Sequence, residues 1–564
     1  MTIASPSQPA SEAPASARWP TVPALVLAAA ITVAFLVHAR AWVFLCDDAF
    51  ISFRYAKNLA EHGALVFNVG VDPPERVEGY TNFLWVVVLA TLDRLGWDPH
   101  SAAPVLTGLG ALAGLVASVL VARGLRRRLG GVELGPRLHP IDLIPAVLLV
   151  SVPEHMVWAH GGLETSWAAA LVLGSIAAWS ADRLRLAAGL AAATALLRLD
   201  GLLPIAVFGL TWLAVVGAPV LAAERRAAWA RVPGKRLVQA AVVFVVPLLV
   251  HLWWRRSYYG SWLPNTWAIK TYGTLLRDTY GQAYVEAWLE ALPLLYVAPL
   301  ALLLRPRHLV LVLPIASVVG YGWWVGGDFM AYGRFYVVAT GLLAALVGWL
   351  LADAGRLLAR RLRPSIAAIV PIALALVLAA GLGIRAHERW QADMAKPTGW
   401  LDGKWEGVAA MDRFARVGVA VGQWMHGNLP PDTLLSVGAA GAVPYGARLP
   451  VVDAFGLVDP QLVHLPKLRP HQGPGARPGH QVIAPASYIK ARDPDLVCHV
   501  GYRGPTRPGE RRAHPAFRSG YVWACIEPPA VVDPRAEGGM LDVGFYCCRR
   551  PRDRVVGPFG RRDP

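Results

Sequence analysis

Two adjacent carboxylates, Asp47 and Asp48, follow directly on the first apolar run of the chain, in the segment CDDAFISFRY at 46–55. Ionisable groups at a bilayer boundary are costly unless paired or put to use. An acidic pair there can share a proton, hold a cation or take a proton from a substrate. The placement marks a candidate active site. Helical periodicity continues from Asp47 to about Gly63, with Asp47, Ile51, Arg54 and Asn58 on one face and Phe50, Phe53, Lys57 and Ala60 on another. This predicts an amphipathic juxtamembrane helix that lays Phe50 and Phe53 into the lipid interface and aims Asp47 and Arg54 at a cavity above the membrane. The alternative is a helix merely capped by Asp47, with Arg54 as its ion-pair partner.

The elements that must position these groups are set by composition. With 55% hydrophobic and 16% charged residues over 564 positions, and a mean hydropathy of +0.41, the chain does not read as a soluble globule. It reads as a polytopic α-helical membrane protein, and its 22 Trp and 16 Tyr suit an interfacial belt. Apolar runs at 22–43, 101–123, 141–157, 165–181, 184–198, 201–219, 236–254, 287–304, 307–325, 333–353 and 364–386 predict about eleven transmembrane helices. The run at 80–95 is interrupted by Asp93 and Arg94 and is read as a helix lying at the outer interface. Residues 1–20, rich in Ser, Pro and Ala, are expected to be a disordered cytoplasmic tail, and the first span is too long for a cleaved signal.

Short loops rich in Lys and Arg stay in the cytoplasm. Leaving out 80–95 puts Arg123 with Arg126–Arg128, Arg183 with Arg185, Arg225 to Arg236, Arg305 with Arg307, and Arg356 to Arg363 all on one side. The N-terminus is then cytoplasmic and the Asp pair extracytoplasmic, in the first outer loop at 44–100. The net charge of +16 follows in part from this topology and does not call for nucleic acid. The same orientation collects Glu78, Glu164, Arg198, Asp200, Arg255, Arg256, Lys270, Asp328 and Arg334 on the outer side with Asp47, Asp48 and Arg54.

Five motifs then line up in order. DDAFISFRYAKNLAEHGALVFN with VEGYTNFLW at 77–85, GGLETS at 161–166, LLRLDG at 196–201, YYGSWLPNTWAIK at 258–270 and GGDFMAYGRF at 326–335 resemble the outer-face motifs of GT-C glycosyltransferases related to the mycobacterial terminal arabinofuranosyltransferase. GAVPYGARLPVVDAFGLVDP at 441–460 and PGH at 478–480 resemble that family's C-terminal outer domain. One departure is Leu199, where the family pattern has Pro. The resemblance implies a GT-C-like fold and transfer of a sugar, arabinofuranose by likeness, from a polyprenyl-phosphate donor to a cell-envelope glycan or glycolipid, for cell wall biogenesis.

The residues suit that chemistry. An acceptor hydroxyl must lose its proton as the anomeric carbon is attacked, and a carboxylate held beside it acts as general base. Asp47 is assigned that role, as the resemblance also implies. Asp48 is open to orienting Asp47, binding a sugar hydroxyl or, like Asp47, ligating a divalent cation; no cofactor is otherwise implied. The leaving phosphate needs cationic donors, for which Arg54, Arg198, Arg256, Lys270 and Arg334 are candidates. Glu78, Asn82, Glu164, Asn265, Asp328 and His480 are candidates for sugar or acceptor binding. The polar stretch from Pro264 to Tyr284 is a candidate closing loop.

Beyond about residue 387 the long apolar runs stop, and short β-type runs appear at TLLSVG, LPVVDAF, DLVCHV, YVWACIEP and LDVGFYCC. Residues 387–564 are therefore expected to form an extracytoplasmic α/β domain, after a membrane domain at 21–386. Cys498, Cys525, Cys547 and Cys548 fall in it, and Cys525 is placed to bond Cys547 or Cys548. No C-x-x-C spacing suggests zinc, and 437–446 lacks a full GxGxxG. Two other classes compete with the enzyme: a polytopic transporter, against which the lack of internal repeats counts, and a non-catalytic envelope or motility assembly factor.

Overall fold

The computed structural model describes residues 21–559 except 72–74, 131–137, 218–233, 272–276, 293–297, 396–399, 402–404, 467, 469–480, 499–514 and 534. The tail at 1–20 and the PGH motif lie outside the described residues. Helix α1 (Thr21–Ala41) leads through a short linker into α2 (Asp47–His62). Two carboxylates in the first turn of α2 favour its N-terminal dipole, and Gly63, at φ +68°, ends it by returning its N–H to Asn58 and Leu59. The run at 80–95 forms α3 (Phe83–Arg94), whose 12 residues are too few to cross a bilayer. It packs along α2 and leads into α4 (Pro99–Arg128), which is started by Pro99 and by the Asp98 side chain accepting from the His100 N–H at 2.9 Å.

Among the described residues six helices are long and apolar enough to cross a membrane: Val22–Ala41, Pro99–Arg128, Leu199–Val216, Gly234–Tyr259, Arg334–Leu358 and Ile369–Met394. The other apolar runs of the sequence form shorter or locally broken helices among the described residues. The run at 141–157 is divided by Ser151 and Val152 into α5 (Ile144–Val150) and α6 (Pro153–Val157). The runs at 165–181 and 184–198 make only α7 (Thr165–Ser180) and α8 (Leu184–Leu197). These shorter helices satisfy their apolar composition partly against other helices: α7 is largely buried. After α9 (Leu202–Trp212) and α10 (Gly234–Tyr259) come α11 (Asn265–Thr271), α12 (Arg277–Ala291) and the 16-residue α13 (Leu309–Trp324). The run at 287–304 is no continuous helix among the described residues. Helix α14 (Val337–Leu358) is the buried centre, packed on α4, α5, α7, α13 and α15 (Pro364–Met394).

The bundle has two chemically distinct ends. Helices α4 and α14 both run from the Asp47 end toward a second end, where Arg126 pairs with Asp142, and Asp353 pairs with Arg307, Arg356 and His308.

Helix α15 runs to Met394, and the C-terminal module follows. It begins with a hairpin of β1 (Trp400–Leu401) and β2 (Trp405–Glu406) and with α16 (Val408–Asn428). Strand β3 (Leu435–Val437), the six-residue α17 (Ala442–Ala447), β4 (Val451–Asp453), α18 (Ala486–Ala491), β5 (Leu496–Val497) and β6 (Tyr521–Ile526) come next. A hairpin of β7 (Val531–Val532) and β8 (Met540–Leu541) precedes β9 (Tyr546–Pro551). The five β-type runs of the sequence form one mixed sheet in the order β4-β3-β5-β9-β6, parallel across β4-β3-β5 and antiparallel across β5-β9-β6. Cys525 bonds Cys547 directly across the β6-β9 pair, and Cys548 bonds Cys498, so adjacent cysteines tie β9 to both its neighbours.

Candidate active site

The chain around the Asp pair is fixed by the C-terminal module. The Leu45 N–H donates to Asp412 Oδ1 at 3.1 Å, and Asp412 Oδ2 takes Arg416 and Arg535, each at 2.6 Å. Arg535 also donates to the Val43 carbonyl. Asp47 Oδ1 accepts the Ala442 N–H at 2.8 Å, at the start of α17. Gly441 is required at this contact, since a Cβ there would lie 2.1 Å from the Asp47 carbonyl oxygen. Phe50 and Phe53 are fully buried, with ring centroids 5.3 and 6.1 Å from that of Tyr445. The expected lipid contact of these two rings is corrected: the module covers the face of α2 that periodicity assigned to lipid.

The two carboxylates diverge. Burial pushes Asp47 up to about 7, opposed by the Ala442 N–H and reinforced by the charges of Asp48 and Glu406. Asp48 is also raised by burial, but Lys270 and Arg334 pull it back down, against Asp328 and Glu164. Asp48 therefore faces a charged cluster built from several elements. Arg334 Nε lies 2.6 Å from Asp328 Oδ2, inside the GGDFMAYGRF loop. Gly327 in that loop, at φ +72°, has Tyr284 where a Cβ would stand. Arg198 reaches Glu164 and Asp200, both at 3.0 Å, and Asn82 donates to the other Glu164 oxygen at 2.7 Å while bonding Ser52 of α2. Arg198 and Arg334 lie on the Phe335 ring at 5.3 and 5.5 Å. Lys270, on α11, is exposed and is the accessible cation beside Asp48.

Four expected site residues lie apart. Arg54 is buried and spends its guanidinium on the Phe67, Pro444 and Leu449 carbonyls at 2.8, 2.6 and 2.7 Å and on Asn68. It clamps α2 to the module, and neither binds in the cluster nor pairs with Asp47. Arg256 is exposed and donates to the Gly260 carbonyl of its own helix end; its neighbour Arg255 turns inward to Glu78, Nε to Oε2 2.7 Å. Glu78 is thereby engaged, and burial raises it to about 7 against Arg255. Asn265 donates to the Gly456, Leu457 and Asp459 carbonyls at 2.7–3.1 Å, so it secures α11 to the module. The stretch at 264–284, read as a closing loop, is mostly α11 and the start of α12, with 272–276 outside the described residues. The role assigned to His480 likewise lies outside them.

Between α2, the loop at 328–333 and the module lies a small cavity of about 30 Å³. Asp47 and Asp48 line it, and so do Glu406 and Asp453, which sequence reasoning did not single out. Glu406 is placed by two backbone bonds to the loop, its N–H to the Phe329 carbonyl at 2.9 Å and its carbonyl from the Ala331 N–H at 3.0 Å. Asp453 accepts from the Phe455 and Val458 N–H groups, and burial raises it to about 6. The VVDAF motif contained the signal for Asp453, whereas nothing around Trp405-Glu406 distinguished it from an exposed hairpin. Among the described residues no group of three His, Cys, Asp or Glu is arranged to hold a metal ion.

Residues 408–536 match a family model described as a domain of unknown function, DUF8728. No curated protein matches the chain by sequence. Two solved structures of ArnT from Cupriavidus metallidurans superpose over 94% of this chain and 98% of theirs, each at 14% identity. The TM-score is 0.51 for the apo form and 0.47 for the form bound to undecaprenyl phosphate. The apo superposition carries the comparison of folds. With six helices among the described residues able to cross a membrane and a C-terminal module on a mixed sheet, the chain is a multi-pass membrane protein whose fold is similar to that of apo ArnT.

Proposed function

We propose that the chain is a membrane glycosyltransferase that moves a sugar from a polyprenyl-phosphate donor to a cell-envelope glycan or glycolipid on the outer face of the membrane, with Asp47 as general base. The observation that carries this is the divergence of the Asp pair. Both line the cavity under the C-terminal module, but Asp47 is bonded to the Ala442 N–H and raised by burial to about 7, whereas Asp48 is beside Lys270 and Arg334. A base titrating near the working pH is effective in proton transfer. In the reaction the acceptor hydroxyl gives its proton to Asp47 as its oxygen bonds the anomeric carbon. The bond from that carbon to the phosphate oxygen breaks, and the polyprenyl phosphate leaves with the electron pair. Lys270 and Arg334 hold the phosphate charge as it develops. Asp48 orients the donor sugar between them and the base. Arg198, engaged by Glu164 and Asp200, fixes the cluster.

The lipid-phosphate donor and arabinofuranose come from the motif resemblance, and the outward orientation from the arginine distribution. The two disulfides of the module agree with an oxidising compartment. Reconstituted protein is to be supplied with polyprenyl-phosphate sugars, including the arabinofuranosyl form, with and without a chelator. Donor consumption coupled to glycoside formation is expected. Donor left intact while a solute crosses the vesicle in an Asp47-dependent way supports a transporter instead, and loss of transfer on chelation supports a divalent cation at Asp47 or Asp48.

A further inference from the structure

We infer that Tyr332 is the residue that positions Arg334 for a lipid phosphate, and that through Asp393 it ties this position to the docked C-terminal module. This rests on the phosphate role given to Arg334 above. Four described residues other than glycine have a positive φ: Asp182, Tyr332, Arg448 and Asp493. Tyr332, at φ +61°, is the one of the four that is buried, and the other three are exposed. A bulky residue in the left-handed region is costly and persists only where its surroundings over-determine it. Tyr332 stands two residues before Arg334, and Gly333 continues the left-handed path at φ +52°. Together they set the direction in which the chain delivers Arg334 to Asp328 and Asp48.

Backbone and side chain of Tyr332 are both held. Its carbonyl accepts the Trp158 Nε1–H at 3.2 Å, and the Trp158 ring in turn lies 5.7 Å from the Arg334 guanidinium. Its ring meets Trp42 edge-on at 5.0 Å and carries the Arg389 guanidinium at 4.7 Å. Arg389 is paired with the buried Glu154 at 2.6 Å. The Tyr332 hydroxyl lies 3.3 Å from the Arg389 carbonyl and hydrogen-bonds the Asp393 carboxylate. Asp393, buried at the end of α15, also accepts the Val408 and Ala409 N–H groups at 2.8 and 3.1 Å, in the first turn of α16. One carboxylate therefore serves both the first long helix of the module and the loop that carries Arg334. Tyr332 does not line the cavity, so its effect on a ligand passes through Arg334.

The test is a double-mutant cycle on the binding of decaprenyl phosphate, a polyprenyl phosphate without a sugar, to the full chain in nanodiscs, read by native mass spectrometry. Tyr332→Ala and Arg334→Ala are each expected to weaken binding about tenfold, as for one charge-assisted bond. The double variant is expected to bind within about twofold of Arg334→Ala, since Tyr332 has nothing left to position. Tyr332→Phe keeps the ring and removes the bond to Asp393; it is expected to weaken binding about threefold, and the same cycle is run with it in case Tyr332→Ala does not fold. A residue that merely stabilises the fold lowers the melting temperature and leaves the losses multiplicative. Multiplicative losses, wild-type binding by either Tyr332 variant, or no binding by the wild type overturns the inference. If donor is consumed while the losses multiply, the positioning role fails and the transferase stands. If the losses do not multiply and no donor is ever consumed, the transferase fails and the positioning of a lipid phosphate stands.

Discussion

Asp47 and Ala442, 395 residues apart in sequence, meet in a 2.8 Å hydrogen bond from the Ala442 N–H to Asp47 Oδ1. The bond joins the first turn of the juxtamembrane helix to the first turn of a helix in the C-terminal module. It makes the module part of the site rather than an appendage to it.

The pH dependence follows from Asp47. Transfer requires its ionised form and is expected to rise with pH through a midpoint at about 7. As the neighbouring carboxylates titrate with it, that midpoint belongs to the coupled group. Stability runs the other way. A carboxyl raised on folding binds protons more tightly in the folded state, so its contribution is full below its ordinary pKa of about 4 and is lost as pH rises through about 7. Asp47→Asn is expected to keep or raise the melting temperature at pH 8, since the amide oxygen still accepts from Ala442. Thermal unfolding at pH 5 and 8 checks the sign.

Arg54 is expected to act on folding alone. Arg54→Ala leaves the Phe67, Pro444 and Leu449 carbonyls without their donor, at a cost of about 1–3 kcal/mol for each that stays buried. A lowered melting temperature and faster proteolysis between bundle and module are expected. Arg54→Lys is not expected to rescue, because an ammonium lacks the planar fork that spans these carbonyls.

Lys270 and Arg256 separate contact from anchoring. Losing a charge-assisted bond of ~1.5–3 kcal/mol predicts a ~10–100-fold fall in kcat/KM for the donor in Lys270→Ala. Arg256→Ala, on an exposed side chain bonded to its own helix end, is expected to change donor kinetics less than about twofold. Parallel donor titrations of both variants are the check.

Gly441→Ala places a methyl group against Asp47, so α2 and α17 must part. A loss of transfer of about a hundredfold is expected with the disulfides intact, in line with the cost of a small misplacement of a catalytic group. Initial rates and a thiol titration on the same sample check this.

Cysteine labelling reads the compartment. Of five cysteines, Cys46 alone is free, so the denatured protein is expected to take one label before reduction and five after. Five labels before reduction contradict an extracytoplasmic module.

Much of the fold was legible because its signals are local. Alternating β-type runs gave all five strands of the sheet, and the Asp pair with Gly63 bounded α2 within a residue. What local pattern cannot carry is the identity of the partner. Arg54 looked like a phosphate ligand because its charge was visible and the Pro444 and Leu449 carbonyls were not. Arg255 and Arg256 are indistinguishable in composition, and only the rotation of α10 sends one to Glu78 and the other outward. Glu406 entered the site through a backbone pairing with Phe329 and Ala331, which leaves no trace in its own neighbourhood. The runs at 144–197 form shorter helices than their hydropathy suggests, because burial in protein and burial in lipid require the same composition.

The central claim is that Asp47 takes the acceptor proton. The direct measurement is the initial rate of glycoside formation by purified wild type and Asp47→Asn at pH 8, with the same polyprenyl-phosphate sugar and a neutral acceptor. A fall of at least about a hundredfold in kcat, with donor KM within a few-fold of the wild type, is the expected result. Equal rates from the two proteins contradict it.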